Sequence, residues 1–93
     1  MLNHRTNDAP RDPQELALAA LAATLMDERR AQRFLDLTGL SPDELRAGLG
    51  ERDLLSATLA FLEAHEPDLL AVATAIGARP EQLVAAREAL ARA

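Results

Sequence analysis

Apolar residues recur at intervals of three and four along most of the chain, the spacing that places side chains on one face of an α-helix. Ala and Leu dominate, whereas Val, Ile and aromatic residues, which favour strands, are few. The pattern therefore predicts an all-α fold, a compact bundle of about six short helices.

Prolines and glycines predict where these helices begin and end. Asp12 to Glu15 and Ser41 to Glu44 fit the pattern of a capping box followed by a helix. Gly39, Gly50 and Gly77 follow apolar stretches and are predicted to end helices in the left-handed conformation. The predicted helices span residues 13–26, 28–38, 42–48, 52–65, 67–76 and 80–91.

The fourth predicted helix carries the widest apolar face and is expected to lie at the centre of the bundle. Leu55, Leu59 and Leu62 should be buried there, with Phe61 close to them. On the first helix, the spacing predicts a buried stripe of Leu18, Leu21 and Leu25.

The chain is long enough for one domain, which we expect at residues 12–93 after a flexible N-terminal arm at residues 1–11. The most apolar run, residues 16–26, is shorter than the roughly 20 residues that a membrane helix needs. We expect no membrane segment and a cytoplasmic protein. Fifteen acidic against ten basic residues give a net charge of −5, which disfavours nucleic acid as a partner.

The two halves of the chain resemble each other when one is shifted by 38 residues against the other. Gly39 then aligns with Gly77 and Pro42 with Pro80, and nine identities fall within residues 15–50. This predicts two similar three-helix halves. The alternative is that any two alanine- and leucine-rich helices joined by a Gly-x-x-Pro link align this well.

Residues 73–83 have the spacing of a helix-turn-helix corner, with a small residue before Gly77 and Leu83 after it. A helix that enters DNA should bring positive charge, but Arg87 and Arg92 are matched by Glu81 and Glu88. A nucleic-acid-binding regulator is therefore the second hypothesis for the function.

No pattern of catalytic or metal-binding residues emerges from the sequence. Cysteine is absent, and His4 and His65 lack a second ligand at metal-binding spacing, so neither a metal nor a cofactor is predicted. We interpret His65 as a partial cation at the C-terminal end of its helix. With no nucleophile and base in proximity, we expect a protein that is not an enzyme.

Arg29, Arg30 and Arg33 form the one dense basic cluster and are the candidate partner-binding residues. On a helix, Arg29 and Arg33 share a face. One interpretation is a solvated surface paired with nearby acids such as Asp27 or Asp36, and the other is a docking patch for an acidic partner.

Residues 34–46 follow the order F-L-x-L-T-G-L-x-P-D-x-L-R, and Leu59 to Leu62, Asp68 to Leu70 and Pro80-Glu81 come after it. In this order the chain resembles a bacterial family of unknown function, number thirty-five seventy-two. The resemblance implies a small helical cytoplasmic protein and no known activity. The first hypothesis is thus a protein–protein interaction or regulatory adaptor module, with a protein partner or a second copy of the chain bound to it.

Overall fold

Six α-helices follow one another in the computed structural model, which describes residues 11–92. They are α1 (Pro13–Met26), α2 (Glu28–Thr38), α3 (Pro42–Ala47), α4 (Arg52–Glu63), α5 (Glu66–Ile76) and α6 (Pro80–Arg92). The predicted all-α bundle is confirmed, and every boundary lies within two residues of the prediction. The arm predicted at residues 1–11 lies outside the described residues except for Arg11, which donates from Nη1 to the carbonyl oxygen of Ile76 at 3.2 Å.

The predicted capping residues begin the helices, though not all as expected. Ser41 and Glu44 form a complete capping box, with both reciprocal hydrogen bonds near 3 Å. At α1, the Asp12 carboxylate accepts from the Glu15 N–H at 3.1 Å, but within the described chain the return bond of a capping box is not formed. The Glu15 side chain is exposed instead.

Glycine ends two helices as predicted and a third differently. Gly39 and Gly77 cap α2 and α5 with φ of 73° and 71°, in the left-handed region. The prediction for Gly50 was wrong, because α3 ends earlier, at Gly48 with φ of −101°. The Gly48 N–H donates to the carbonyls of both Glu44 and Leu45, which tightens the last turn and removes the need for a left-handed residue.

The core lies where α1, α4 and α6 pack against one another, with α5 and α2 alongside. Leu55, Leu59, Leu62 and Phe61 are all buried, as predicted for the fourth helix. Thr58 is buried too, and its hydroxyl donates to the Leu54 carbonyl oxygen at 2.9 Å. α4 is therefore central, and it shares this position with α1.

The stripe predicted on α1 was wrong in part. Leu21 is fully buried, but Leu18 is 44% exposed and Leu25 only partly covered. The buried face is instead centred on Ala17, Ala20 and Thr24, with Leu16 and Leu21 at its sides. Alanines let the axis of a neighbouring helix approach closely, so they turn this face toward the core in place of the larger leucines.

The two halves repeat the same order of elements but differ in their third helix. α2 and α5 begin at Glu28 and Glu66, and α3 and α6 begin at Pro42 and Pro80, each pair 38 residues apart in the chain. α6 is 13 residues long and buries Leu83, Ala86 and Leu90, whereas α3 is 6 residues long and buries only Leu45 among its described residues. No helix in residues 11–92 combines the length and apolarity that crossing a membrane requires.

Candidate functional site

A buried carboxylate joins α2 to α5 at the start of both helices. Asp68 is 5% exposed, and its Oδ1 accepts a hydrogen bond from Arg30 Nε at 3.0 Å. Its Oδ2 accepts from Arg33, and the His65 Nδ1 lies 2.9 Å from the same oxygen. Because Asp68 lies in the first turn of α5, the helix dipole also favours its charge. We call Arg30, Arg33, His65 and Asp68 the Asp68 cluster.

Aromatic rings lie under one edge of this cluster. The guanidinium carbon of Arg33 lies 5.7 Å from the ring centre of Phe61, close enough for a cation–π contact. Phe61 in turn packs edge-to-face on the fully buried Phe34, with ring centres 5.2 Å apart. The cluster is thus continuous with the hydrophobic core.

The structure separates the three arginines that the sequence grouped together. The Arg30 side chain is 16% exposed and that of Arg33 45% exposed, and both bind Asp68, an acid that the sequence argument did not choose as their partner. Arg29 is exposed in the first turn of α2, beside a shallow pocket that Asp27 also lines. His65 is the N-cap residue of α5, and its ring turns to Asp68 instead of serving the end of α4 as predicted.

Two open grooves lie at equivalent positions in the two halves. At the 38-residue offset, four positions line both grooves: Leu54 with Leu16, Glu51 with Pro13, Glu44 with Gln82, and Gly48 with Ala86. The local geometry is also repeated. The Glu44 side chain accepts from the Ser41 N–H at 2.9 Å, and the Gln82 side chain accepts from the Arg79 N–H at 2.8 Å.

The first-half groove, which we call the acidic groove, lies between the end of α2, α3 and the start of α4. Its volume is about 510 Å³. Leu37, Leu40 and Leu54 supply apolar surface. Its charged lining residues are all acidic: Glu44, Glu51 and Asp53. Leu37 is 76% exposed at its edge.

The second-half groove, which we call the basic groove, lies between the start of α1 and the outer side of α6. Its volume is about 430 Å³. Its charged lining residues within the described chain are all basic: Arg11, Arg79 and Arg92. Alanines of α6, including Ala85 and Ala89, line it between these arginines. The two equivalent grooves therefore carry opposite charge.

Two groups outside the grooves have shifted pKa values. Hydrogen bonding from the Arg30 N–H lowers the pKa of Asp27 below its ordinary value of 3.8, since the charged carboxylate caps α2. The hydrogen bond to Glu63, 2.5 Å from Arg87 Nε, raises the pKa of Arg87 and ties α6 to α4. Both shifts favour the charged forms that stabilise the fold.

The described residues contain no group of three or more His, Asp or Glu side chains arranged to hold a metal ion. His65 and Asp68 approach each other, but their other close neighbours are arginines, which would repel a cation. The chemistry of the Asp68 cluster is therefore that of an internal ion pair, and the two grooves are open clefts lined by charged and apolar side chains.

These features define a small all-α bundle of six helices in the part of the chain that the structure describes. The chain matches the family described as protein of unknown function (DUF3572) over residues 10–93 and belongs to that family. The resemblance carried by residues 34–46 is thereby confirmed. Comparisons with curated proteins and with solved structures gave no significant match.

Sequence reasoning found the internal offset but missed both grooves. A shift of 38 residues aligns Glu51 with Pro13, Glu44 with Gln82 and Ser41 with Arg79, so the change of charge is visible in the sequence. The signal was present, but which positions line a groove depends on how α3 and α6 pack. Asp68 was also missed as the partner of the arginines, because it lies 38 residues from Arg30 in the chain.

Proposed function

We propose that the protein is a small non-enzymatic adaptor that docks a helical segment of a partner protein in the acidic groove. The observation that carries the proposal is Leu37, a leucine 76% exposed at the edge of a groove that contains further leucines. An exposed leucine next to other apolar surface is typical of an interaction site. Isolated exposed leucines elsewhere on the surface need no such explanation.

The lining of the groove indicates the chemistry of the partner. Apolar side chains lie between carboxylates, an arrangement that resembles the apolar centre and polar rim of a protein interface. An amphipathic helix can lay its apolar face into such a groove, with anchors at helical spacing. Since Glu44, Glu51 and Asp53 line the groove together with the leucines, the complementary helix carries Lys or Arg beside its apolar face.

The difference between α3 and α6 explains why a helix would fit there. In the second half, the long α6 covers the sides of α1 and α4 with Leu83, Ala86 and Leu90. The equivalent α3 ends after six residues, and Gly48 stands where α6 continues with Ala86. The apolar surface of the acidic groove therefore lacks the long helix that the other half supplies from its own chain.

A site-specific cross-linking experiment tests the proposal. A photoreactive benzoylphenylalanine replaces Leu37 in one variant and Leu70, an exposed leucine of α5 outside the groove, in the control. Both variants are irradiated in the native host, and the cross-linked peptides are sequenced. We expect position 37, and not position 70, to cross-link one partner segment with alternating apolar and basic residues at helical spacing.

Removing carboxylates from the acidic groove is the second part of the cross-linking experiment. E51Q/D53N removes two carboxylates that line the groove, and E28Q/E66Q removes two first-turn carboxylates that do not. The first pair should abolish the cross-link from position 37 and the second should leave it. Equal cross-linking in both backgrounds, or a cross-linked segment without basic residues, would contradict the proposed docking.

A further inference from the structure

We propose that the basic groove is a second docking site, which takes an acidic peptide segment. The proposal stands on a different set of residues from the acidic groove and does not depend on it. Arg11, Arg79 and Arg92 line the basic groove, and no carboxylate of the described chain lines it with them. Together the two sites would make the protein a bridge between a basic and an acidic partner.

The arginines of this groove differ from most other arginines of the protein in their partners. Arg30 and Arg33 bind Asp68, Arg46 binds Asp43 and Arg87 binds Glu63. Within residues 11–92, the guanidinium groups of Arg79 and Arg92 form no ion pair, and Arg11 bonds only to a neutral carbonyl. In a chain with net charge −5, this concentration of unpaired positive charge attracts carboxylates.

The equivalence of the two grooves strengthens this assignment. Positions that carry Glu44 and Glu51 in the acidic groove carry Gln82 and Pro13 in the basic groove. Two of the three acidic lining positions are therefore uncharged in the basic groove, and the third, Asp53, has no counterpart among its lining residues, so a ligand of opposite charge fits at the corresponding place. Ala85 and Ala89 lie one turn apart on α6, so a peptide backbone can come close to the helix between the arginines.

A peptide fits these features better than a nucleic acid does. Single-stranded nucleic acid binds largely by stacking its bases on aromatic rings. The chain has two aromatic residues, Phe34 and Phe61, and both are buried in the core. An arginine fork binds a carboxylate through two parallel hydrogen bonds, without any stacking partner.

Fluorescence anisotropy with a labelled helical peptide tests the proposal. The probe is a fluorescein-labelled Glu/Ala peptide of about 16 residues, long enough to form helix on binding. The full chain should bind it in low salt, and R79E/R92E should weaken binding at least about tenfold. The control R29E/R46E makes the same change in net charge at exposed arginines outside the groove and should weaken binding far less.

Ala85→Trp provides a variant that leaves all charges in place. Ala85 is exposed, so the tryptophan fills the groove without disturbing the core, and circular dichroism checks the fold. Loss of peptide binding in A85W would show that the peptide binds within the groove. Unchanged binding in A85W, or equal losses in the two arginine pairs, would mean attraction by charge alone and would overturn the proposal.

Two further outcomes would replace the proposed ligand. Tighter binding of oligo-dT than of the Glu/Ala peptide would assign the groove to nucleic acid. The sedimentation coefficient of the wild type could also rise with protein concentration. If both E51Q/D53N and R79E/R92E abolished that rise, the basic groove would bind the acidic groove of a second copy of the chain. Such a head-to-tail contact does not close unless its rotation forms a ring.

Discussion

Arg30 and Asp68 occupy equivalent positions in the two halves of the chain, and they bind each other. Each is the third residue of its helix, and the Arg30 Nε lies 3.0 Å from the Asp68 Oδ1. Because the two residues carry opposite charges, the first turns of α2 and α5 are joined by an ion pair.

The same comparison of halves applies to the grooves. Identical charges at the equivalent positions would give two similar docking sites, whereas the observed residues give one acidic and one basic site. The halves thus differ in charge both at the contact between them, where Arg30 binds Asp68, and at the two grooves.

Removing the charge of Asp68 should destabilise the protein strongly. D68N removes the counter-ion of Arg30, whose side chain is 16% exposed, and of the half-exposed Arg33. We expect a loss of about 2–4 kcal/mol in the free energy of unfolding. D43N, at an exposed carboxylate paired with Arg46, should cost no more than about 1 kcal/mol. Urea denaturation measures both, and similar losses would show that burial of Asp68 has no energetic importance.

Reversal of single arginines should separate structural from surface roles within the predicted cluster. R30E places a second carboxylate beside Asp68 and should lower the melting temperature markedly, with R33E intermediate because its side chain is more exposed. R29E should leave the melting temperature nearly unchanged, since Arg29 is exposed. If all three substitutions left the melting temperature nearly unchanged, the three arginines would instead form one solvated surface.

Truncation of a central leucine should test the core. Leu59 is fully buried on α4, and L59A should reduce the free energy of unfolding by about 2–5 kcal/mol. L70A, at a leucine 46% exposed, should cost less than about 1 kcal/mol. Chemical denaturation compares the two variants. A loss below about 1 kcal/mol for L59A would mean that α4 is peripheral.

The N-cap of α2 should contribute stability that depends on pH. Because the folded protein lowers the pKa of Asp27, its carboxylate favours folding above the ordinary value of 3.8, and this contribution is lost as the pH falls through the folded pKa. D27N should therefore melt below wild type at pH 7, and the difference should shrink near pH 3. Thermal melts followed by circular dichroism give the comparison. A difference that is constant with pH would assign the effect to something other than charge.

Duplex DNA should not bind above background at about 150 mM salt. The helix that would read DNA, α6, carries Glu81 and Glu88 beside its arginines, and the chain is acidic as a whole. Anisotropy with random and genomic fragments is the measurement. Sub-micromolar binding would restore the helix-turn-helix hypothesis and assign the basic groove to the phosphate backbone.

Most of the fold could be predicted because its signals are local. Proline starts, glycine stops and apolar spacing act within one or two turns, and they gave every helix to within two residues. The errors at Leu18 and Gly50 have a different origin. Which side of α1 faces inward depends on alanines packing against α4 and α6, and where α3 stops depends on how its last amide is satisfied. Neither is a property of the segment alone.

The candidate sites were harder to predict for the same reason. The partner of Arg30 is 38 residues away in the chain, and only the contact between α2 and α5 shows that Asp68 is that partner. The acidic and basic grooves require residues from two or three helices each. The internal offset was the one long-range signal in the sequence, and it predicts equivalent positions without predicting that they form grooves.

The most direct test of two oppositely charged docking grooves is a double comparison of peptide binding. Affinities of a Lys/Leu amphipathic helix and of the Glu/Ala helix are measured for the wild type, E51Q/D53N and R79E/R92E. We expect E51Q/D53N to weaken only the Lys/Leu peptide and R79E/R92E to weaken only the Glu/Ala peptide, each by about tenfold or more. Both peptides weakened alike by either pair, or neither affected, would contradict the account.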